Sequence, residues 1–272
     1  MILLVNMETR LDLEMVERNL VPSRSKASDL IKDGKVKVNG KVVLKSSSSV
    51  TELDIVEVME NDYLKYVSRG GLKLEHVINI FNVDFTGKVV LDIGASTGGF
   101  TDCALKHGAR KVYSLDVGSN QLHESLLKNE KVISIENTNF KNVEMSLFDE
   151  TIDLYVCDVS FISIETILNK LVELDDNFTI IILYKPQFEV GKSNLNSNGV
   201  VKNKNSLISS INGFLDFLKI KNIGVLDVTY SPILGHKEGN IEFLFYLKKG
   251  NYSKSIDVER IVNLAYKVLK VK

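Results

Sequence analysis

The sequence predicts an α/β protein, a doubly wound parallel sheet preceded by a small α+β unit. From about residue 88, short apolar strand-like runs alternate with helical stretches, the pattern of a doubly wound sheet. Residues 1–60 read differently, as two helices followed by short strands. A glycine-rich turn, "DIGASTGGF", follows the first strand of the sheet, where such folds place ligands. A length of 272 residues is consistent with two domains. The expected boundaries are 1–60 for the small unit, 61–80 for a linker and 81–272 for the sheet domain.

In the small unit, "TRLDLEMVERNL" puts Leu11, Met15 and Val16 on one helical face, with Thr9 and Asp12 spaced as a capping box. "SRSKASDLIKDG" predicts a second helix with Ala27, Leu30 and Ile31 as its apolar stripe and Gly34 as its stop. "KVKVNGKVVL" predicts a hairpin turning at Asn39-Gly40. The serine run 46–49 reads as a loop, and "DIVEV" as a further strand.

Seven strand-like runs follow: "KVVLDIG", "KVYSLDV", "VISIE", "DLYVCDV", "TIIILYK", "IGVLDVTYS" and "IEFLFYLKK". The last two lie close together, which predicts an antiparallel hairpin at a sheet edge. "DVERIVNLAYKVL" has helical spacing and is expected to pack back on the domain.

Composition excludes several classes. A hydrophobic content of 44% and a charged content of 25% describe an ordinary globular chain. Cys103 and Cys157 lack metal spacing and sit in apolar runs, so they read as buried free thiols in a reducing compartment. "MILLV" lacks the basic flank and length of a signal segment, and no apolar run approaches a membrane span. The cytoplasm is the expected location. His107, His123 and His236 show no ligand spacing and read as surface or loop residues, and no metal is expected.

The turn does not fit the dinucleotide pattern G-x-G-x-x-G, because three residues separate Gly94 from the pair Gly98-Gly99. Asp92 lies at the end of the preceding strand and Asp116 closes the next. A carboxylate in the second position can accept hydrogen bonds from both ribose hydroxyls. An extra acid beside the turn would repel a pyrophosphate and attract the ammonium of a methionine moiety. This spacing favours S-adenosylmethionine over NAD, with a ligand-free structural turn as the alternative.

Two further strands end on Asp158 and Lys185. A lysine between Ile182-Leu183 and Pro186 could be desolvated, which would lower its pKa and let it take a proton from a hydroxyl. On spacing alone, a surface lysine capping a strand serves equally well.

The motifs "SRGGLKL", "LDIGASTGGFTD", "DVSFIS", "LYKPQFE" and "SPILGHKEGNIEF", in this order, resemble the TlyA family of ribosomal RNA 2′-O-methyltransferases, also called hemolysin A. Residues 10–40 are similar to the S4 RNA-binding domain that opens that family. The resemblance implies a Rossmann-like class I methyltransferase sheet of FtsJ/RrmJ type, with S-adenosylmethionine as cofactor. It implies a catalytic set of Lys73, Asp158, Lys185 and Glu242. It places cofactor contacts at Gly98, Phe100 and Asp116, to which the reading of the turn and strand ends adds Asp92, Gly94, Gly99 and Asp158. Asn139 stands where FtsJ proteins carry an adenine-contacting acid, which is a departure, although an amide can still bond adenine. On this reading Lys73 helps Lys185 to lose its proton, and Asp158 and Glu242 orient the lysines and the hydroxyl. The implied substrate is a ribose of ribosomal RNA or of a ribosomal subunit, cytidine in the family.

Between Arg24 and Lys45 there are seven Lys/Arg residues against two acids, in a chain of net charge −1. Arg24 and Lys26 fall in a helix's first turn, where cations oppose the dipole and an RNA phosphate would compensate them. Arg10, Arg24, Lys26, Lys35 and Lys37 are the candidate RNA contacts. One rival is a base N-methyltransferase, because "DVSF" occupies the place of the D/N-P-P-Y/F motif, though without its prolines. The other is a membrane-active hemolysin, which the missing signal segment and span disfavour.

Overall fold

The computed structural model describes residues 8–21, 23–59, 65–235, 239–252 and 254–271. The chain divides between Ser68 and Arg69 into two compact units.

In the smaller unit, β1 (Thr9–Arg10) leads into α1 (Leu11–Glu17), followed by α2 (Arg24–Lys32), β2 (Val36–Val38), β3 (Lys41–Val42), β4 (Ser49–Val50) and β5 (Val56–Val58). Leu11 and Met15 from α1 meet Ala27, Leu30 and Ile31 from α2 in one core with Val36 and Val50, so the expected apolar faces do close on each other. β2 pairs with both β3 and β5, and Asn39 and Gly40 turn the hairpin with positive φ of 50° and 77°.

Two local expectations need correction. Thr9 and Asp12 do not form a capping box, because Arg10 is the N-cap of α1 and receives no side-chain bond. Asp12 is drawn off by Arg10 at 2.9 Å and Arg24 at 3.1 Å. The serine run is also not wholly loop, since Ser49 enters β4 and pairs with Arg10 of β1.

The larger unit starts with α3 (Gly70–Phe81), so the segment expected as linker is helical from Gly70 onward, while residues 61–64 lie outside the described residues. It continues with β6 (Val89–Ile93), α4 (Gly99–Lys106), β7 (Lys111–Leu115), α5 (Glu124–Leu127), β8 (Val132–Ile135), β9 (Leu154–Cys157), α6 (Ile164–Leu174) and β10 (Thr179–Tyr184). The remaining elements are α7 (Lys204–Ile220), β11 (Ile223–Tyr230), β12 (Phe243–Lys249) and α8 (Val258–Leu269). The sheet order is β11-β12-β10-β9-β6-β7-β8, parallel except for β12, which runs antiparallel to both neighbours. All seven runs read from the sequence are strands. The last two do form an antiparallel pair, but β12 inserts beside β10 and leaves β11 as the edge.

β6 is buried along its whole length, as a central parallel strand covered on both faces must be. The order reverses between β7 and β9 around β6, so a crevice opens at the carboxyl ends of these strands. Cys103 and Cys157 are both free and buried. Among the described residues no helix is long and apolar enough to cross a membrane.

Candidate active site

Four charged side chains meet where β9 and β10 end, brought there from four parts of the larger unit. Lys73 projects from α3, Asp158 follows β9, Lys185 follows β10 and Glu242 precedes β12. Lys185 Nζ lies 2.6 Å from Asp158 Oδ1, and Lys73 Nζ lies 2.7 Å from Glu242 Oε2 and 3.9 Å from Asp158 Oδ2. The result is a chain of alternating sign, Lys185–Asp158–Lys73–Glu242. Lys73, Lys185 and Glu242 are buried, so their desolvation is offset mainly by one another. Gln187 extends the chain, its Nε2 donating to Glu242 Oε1 at 3.2 Å. Gly235 stands so close that a Cβ there would come within 2.8 Å of Glu242 Oε1.

The electrostatics correct one expectation. Burial by itself lowers the Lys185 pKa, but the carboxylates Asp158 and Glu242 outweigh it, and the ammonium titrates above its ordinary value. Lys185 therefore rests protonated instead of neutral. Burial by itself would raise the Asp158 carboxyl, but Lys185 and Lys73 overcome it and hold its pKa below the ordinary value.

The glycine-rich turn runs from the end of β6 to α4. Gly94 and Gly98 have positive φ of 82° and 92°, and a Cβ at Gly94 would come within 2.9 Å of Val159. Both positions therefore need glycine. Gly98 caps α4, whose first-turn N–H groups at Gly99 and Phe100 have no partner inside the helix. The Phe100 ring is buried, which leaves its backbone N–H as the group facing the turn. Asp116, at the end of β7, accepts from Ser96 N at 2.8 Å and Gly118 N at 2.7 Å. Each oxygen keeps a lone pair, so a diol could still be bound. Asn139 is exposed and accepts from Lys141 N, with its amide N–H groups turned outward from that bond.

Asp92 is closed off from solvent. It is fully buried behind the turn and accepts from the Thr101 hydroxyl at 2.7 Å, which in turn meets Ser114 at 2.7 Å. Burial pushes its pKa up to about 7. Through Oδ2 Asp92 ties α4 to β6, while its Oδ1 is buried without a hydrogen-bond partner among the described residues.

Sequence reasoning passed over two neighbours of Lys185. Ser160 Oγ accepts from Lys185 Nζ at 2.8 Å. Phe161 is 90% exposed and has φ 64°, a conformation that costs a bulky residue on the order of 1–3 kcal/mol. Its ring lies 5.2 Å from that of Phe188. Both residues sit inside motifs visible in the sequence, "DVSF" and "KPQF", but nothing there betrays the left-handed backbone.

In the smaller unit, the basic residues split. Lys26 is buried and donates to the Tyr66 carbonyl at 3.1 Å, so it is not a surface cation for phosphate. Arg24 and Arg10 remain largely exposed but share Asp12, and Ser23 caps α2, so the supposed uncompensated helix end has partners of its own. Lys35 and Lys37 are half-buried. His107 and His123 sit at the ends of α4 and α5, where Nδ1 of each lies at a hydrogen-bonding distance from local backbone, and His236 lies outside the described residues.

Residues 66–249 match the FtsJ-like methyltransferase family, and residues 9–56 match the S4 domain. Hemolysin A of Brachyspira hyodysenteriae is 43% identical over 86% of this chain and 98% of its own. The 16S/23S rRNA (cytidine-2′-O)-methyltransferase TlyA of Mycobacterium tuberculosis is 35% identical over 88% of this chain and 89% of its own. A solved structure named as a hemolysin, from Streptococcus thermophilus, is 34% identical and superposes with a TM-score of 0.77, covering 98% of both chains. The assembled strand-end set and these matches lead to one assignment: the chain belongs to the FtsJ-like methyltransferase family, in its TlyA and hemolysin A group, with an S4 domain of its own.

Proposed function

We propose that this protein transfers a methyl group from S-adenosylmethionine to a ribose 2′-hydroxyl of ribosomal RNA, on cytidine. The observation that carries the reading is the buried chain of alternating charge at the carboxyl ends of β9 and β10. It stands beside the switch-point turn, and the turn's donors and acceptors suit the cofactor. The Gly94–Phe100 turn would hold the methionine part, Asp116 the ribose hydroxyls and Asn139 the adenine. Bound there, the cofactor would supply an electrophilic methyl on positively charged sulfur.

The residues of this chain would do the rest. Lys185 Nζ would stand against the 2′-hydroxyl and accept its proton, once its own proton has left. Lys73 shares Asp158 with it and so weakens the hold of that carboxylate on the Lys185 proton. Glu242 and Gln187 fix Lys73, and Ser160 aligns Nζ. Positioning of hydroxyl and methyl in line is expected to account for much of the rate. Phe161, with Phe188 behind it, offers an exposed aromatic face on which the target base could stack. Arg10, Arg24, Lys35 and Lys37 of the S4 unit are proposed to contact RNA phosphates, which would position the substrate without reading its sequence.

Lys185→Ala tests the assignment. Cofactor and RNA should still bind, while methyl transfer to ribosomal RNA falls by a factor on the order of 10² or more. In the intact protein the neutral fraction of Lys185 grows tenfold per pH unit below its raised pKa, so kcat/KM should climb with pH through the neutral and mildly alkaline range. Lys185→Arg should not restore transfer, because a guanidinium keeps its proton. Near-normal transfer by the Arg variant, or a flat pH profile, would make Lys185 a fixed cation and put the base elsewhere.

A further inference from the structure

Two segments meet at the catalytic cluster, residues 158–164 after β9 and residues 185–189 after β10. Three residues of the second, Lys185, Phe188 and Glu189, stitch them together. Lys185 pairs with Asp158 at 2.6 Å and donates to Ser160 Oγ at 2.8 Å. Phe188 packs on Phe161 with ring centres 5.2 Å apart. Glu189 Oε1 accepts from the backbone N–H of Ile164 at 2.9 Å, reaching across from the other strand end. The same carboxylate also interacts with the Ser163 hydroxyl.

Phe161 lies between these anchors. Its ring is 90% exposed, so burial of the ring cannot hold its backbone at φ 64°. Such a conformation persists only where its neighbours over-determine it. On one side Ser160 is held by Lys185, and on the other Ile164 is held by Glu189. Capping alone does not account for Glu189, because α6 has a local cap, Ser163 Oγ accepting from Glu165 N at 3.2 Å.

We propose that Glu189 is a positioning residue that fixes the 160–163 turn in the conformation presenting Phe161 to the base of the target nucleotide. This rests on the reading of Phe161 as a base platform. Glu189 bonds to Ile164 and Ser163 of the turn and takes no part in moving the proton. Its effect should therefore fall on the binding of RNA, leaving cofactor affinity alone. The requirement is an acceptor at Oε1, not a negative charge, so an amide should serve.

The protein has no tryptophan, so Phe161→Trp provides a single fluorescent reporter of the turn. Adding Glu189→Ala should speed the decay of its fluorescence anisotropy, and adding Glu189→Gln should restore the slow decay. In the Phe161 background, Glu189→Ala should raise KM for RNA roughly tenfold, the scale of one lost hydrogen bond, with S-adenosylmethionine affinity unchanged by calorimetry. Asn203→Ala is the control for stability alone, because it removes the bond that Asn203 accepts from Ser206 N at the start of α7. It should lower the melting temperature without moving KM or the reporter. An unchanged reporter in Glu189→Ala, or a KM that follows the melting temperature equally in both variants, would overturn the proposal. A mobile reporter with a normal KM would uphold the positioning by Glu189 and remove Phe161 from the RNA site, so the two failures read out separately.

Discussion

Two regions of the larger unit hold carboxylates within a few residues of the sheet's carboxyl ends, Asp92 buried and Asp158 partly so, and they treat them oppositely. Behind the glycine-rich turn, Asp92 faces hydroxyls, and burial raises its pKa to about 7. At the ends of β9 and β10, Asp158 faces two ammonium groups, and its pKa falls. In the smaller unit Lys26 is as buried as Lys73 and Lys185, and it donates to the Tyr66 carbonyl. Burial of a charge therefore does not by itself mark function. The partner matters as well: beside the Thr101 hydroxyl Asp92 is left near its titration point, whereas Asp158, Lys73, Lys185 and Glu242 form a network of opposite charges.

The largest effect on stability is expected from breaking the charged network. Glu242→Gln removes the carboxylate nearest Lys73, and leaving that buried ammonium short of charge should cost about 3–5 kcal/mol. Urea denaturation would measure it. A loss under about 1 kcal/mol would mean that water or Asp158 replaces Glu242, and the contrast with Asp92 would weaken.

Asp92 should give the next largest effect, and one that depends on pH. Below pH 3.8 both folded and unfolded chains hold its proton. Between there and about pH 7 the unfolded chain ionises while the folded one does not, so stability falls as pH rises. The full loss is on the order of 4 kcal/mol. Asp92→Asn keeps an acceptor for Thr101 and should abolish this contribution. Melting temperatures at pH 5 and pH 8 decide it: an equal drop in wild type and variant would show that Asp92 is not its source.

The smallest effect should come from Lys26→Met. The apolar stem is retained and the bond to the Tyr66 carbonyl is lost, a change expected to cost on the order of 2 kcal/mol. RNA affinity and its salt dependence should be unchanged. A flatter salt slope would return Lys26 to the phosphate-contacting surface.

Much of this molecule was legible in the chain. Apolar runs between helical stretches specified the seven strands of the large sheet, most clearly the central β6, which is buried on both faces and continuously apolar but for Asp92. Asn39-Gly40 specified a hairpin, since few other pairs accept two positive φ values. Gly94 and Gly98 marked the turn for the same reason. Lys73, Asp158, Lys185 and Glu242 were found through motif resemblance, and the folded chain brings them into one network although 169 positions separate Lys73 from Glu242.

Only the tertiary structure decided how those groups behave. Spacing along the chain could suggest that Lys185 is desolvated, but the sign of its shift depends on Asp158 and Glu242, which arrive from other strands. Local order made Arg24 and Lys26 look like cations without partners. Folding gave one of them Asp12 and buried the other against Tyr66. Phe161's left-handed backbone is likewise invisible in "DVSF", and the ring that packs on it comes from the separate segment after β10. Periodicity and turn chemistry act between near neighbours and can be read in order. A pKa, a buried ion pair and a strained rotation are set by what distant parts of the chain bring within a few ångströms.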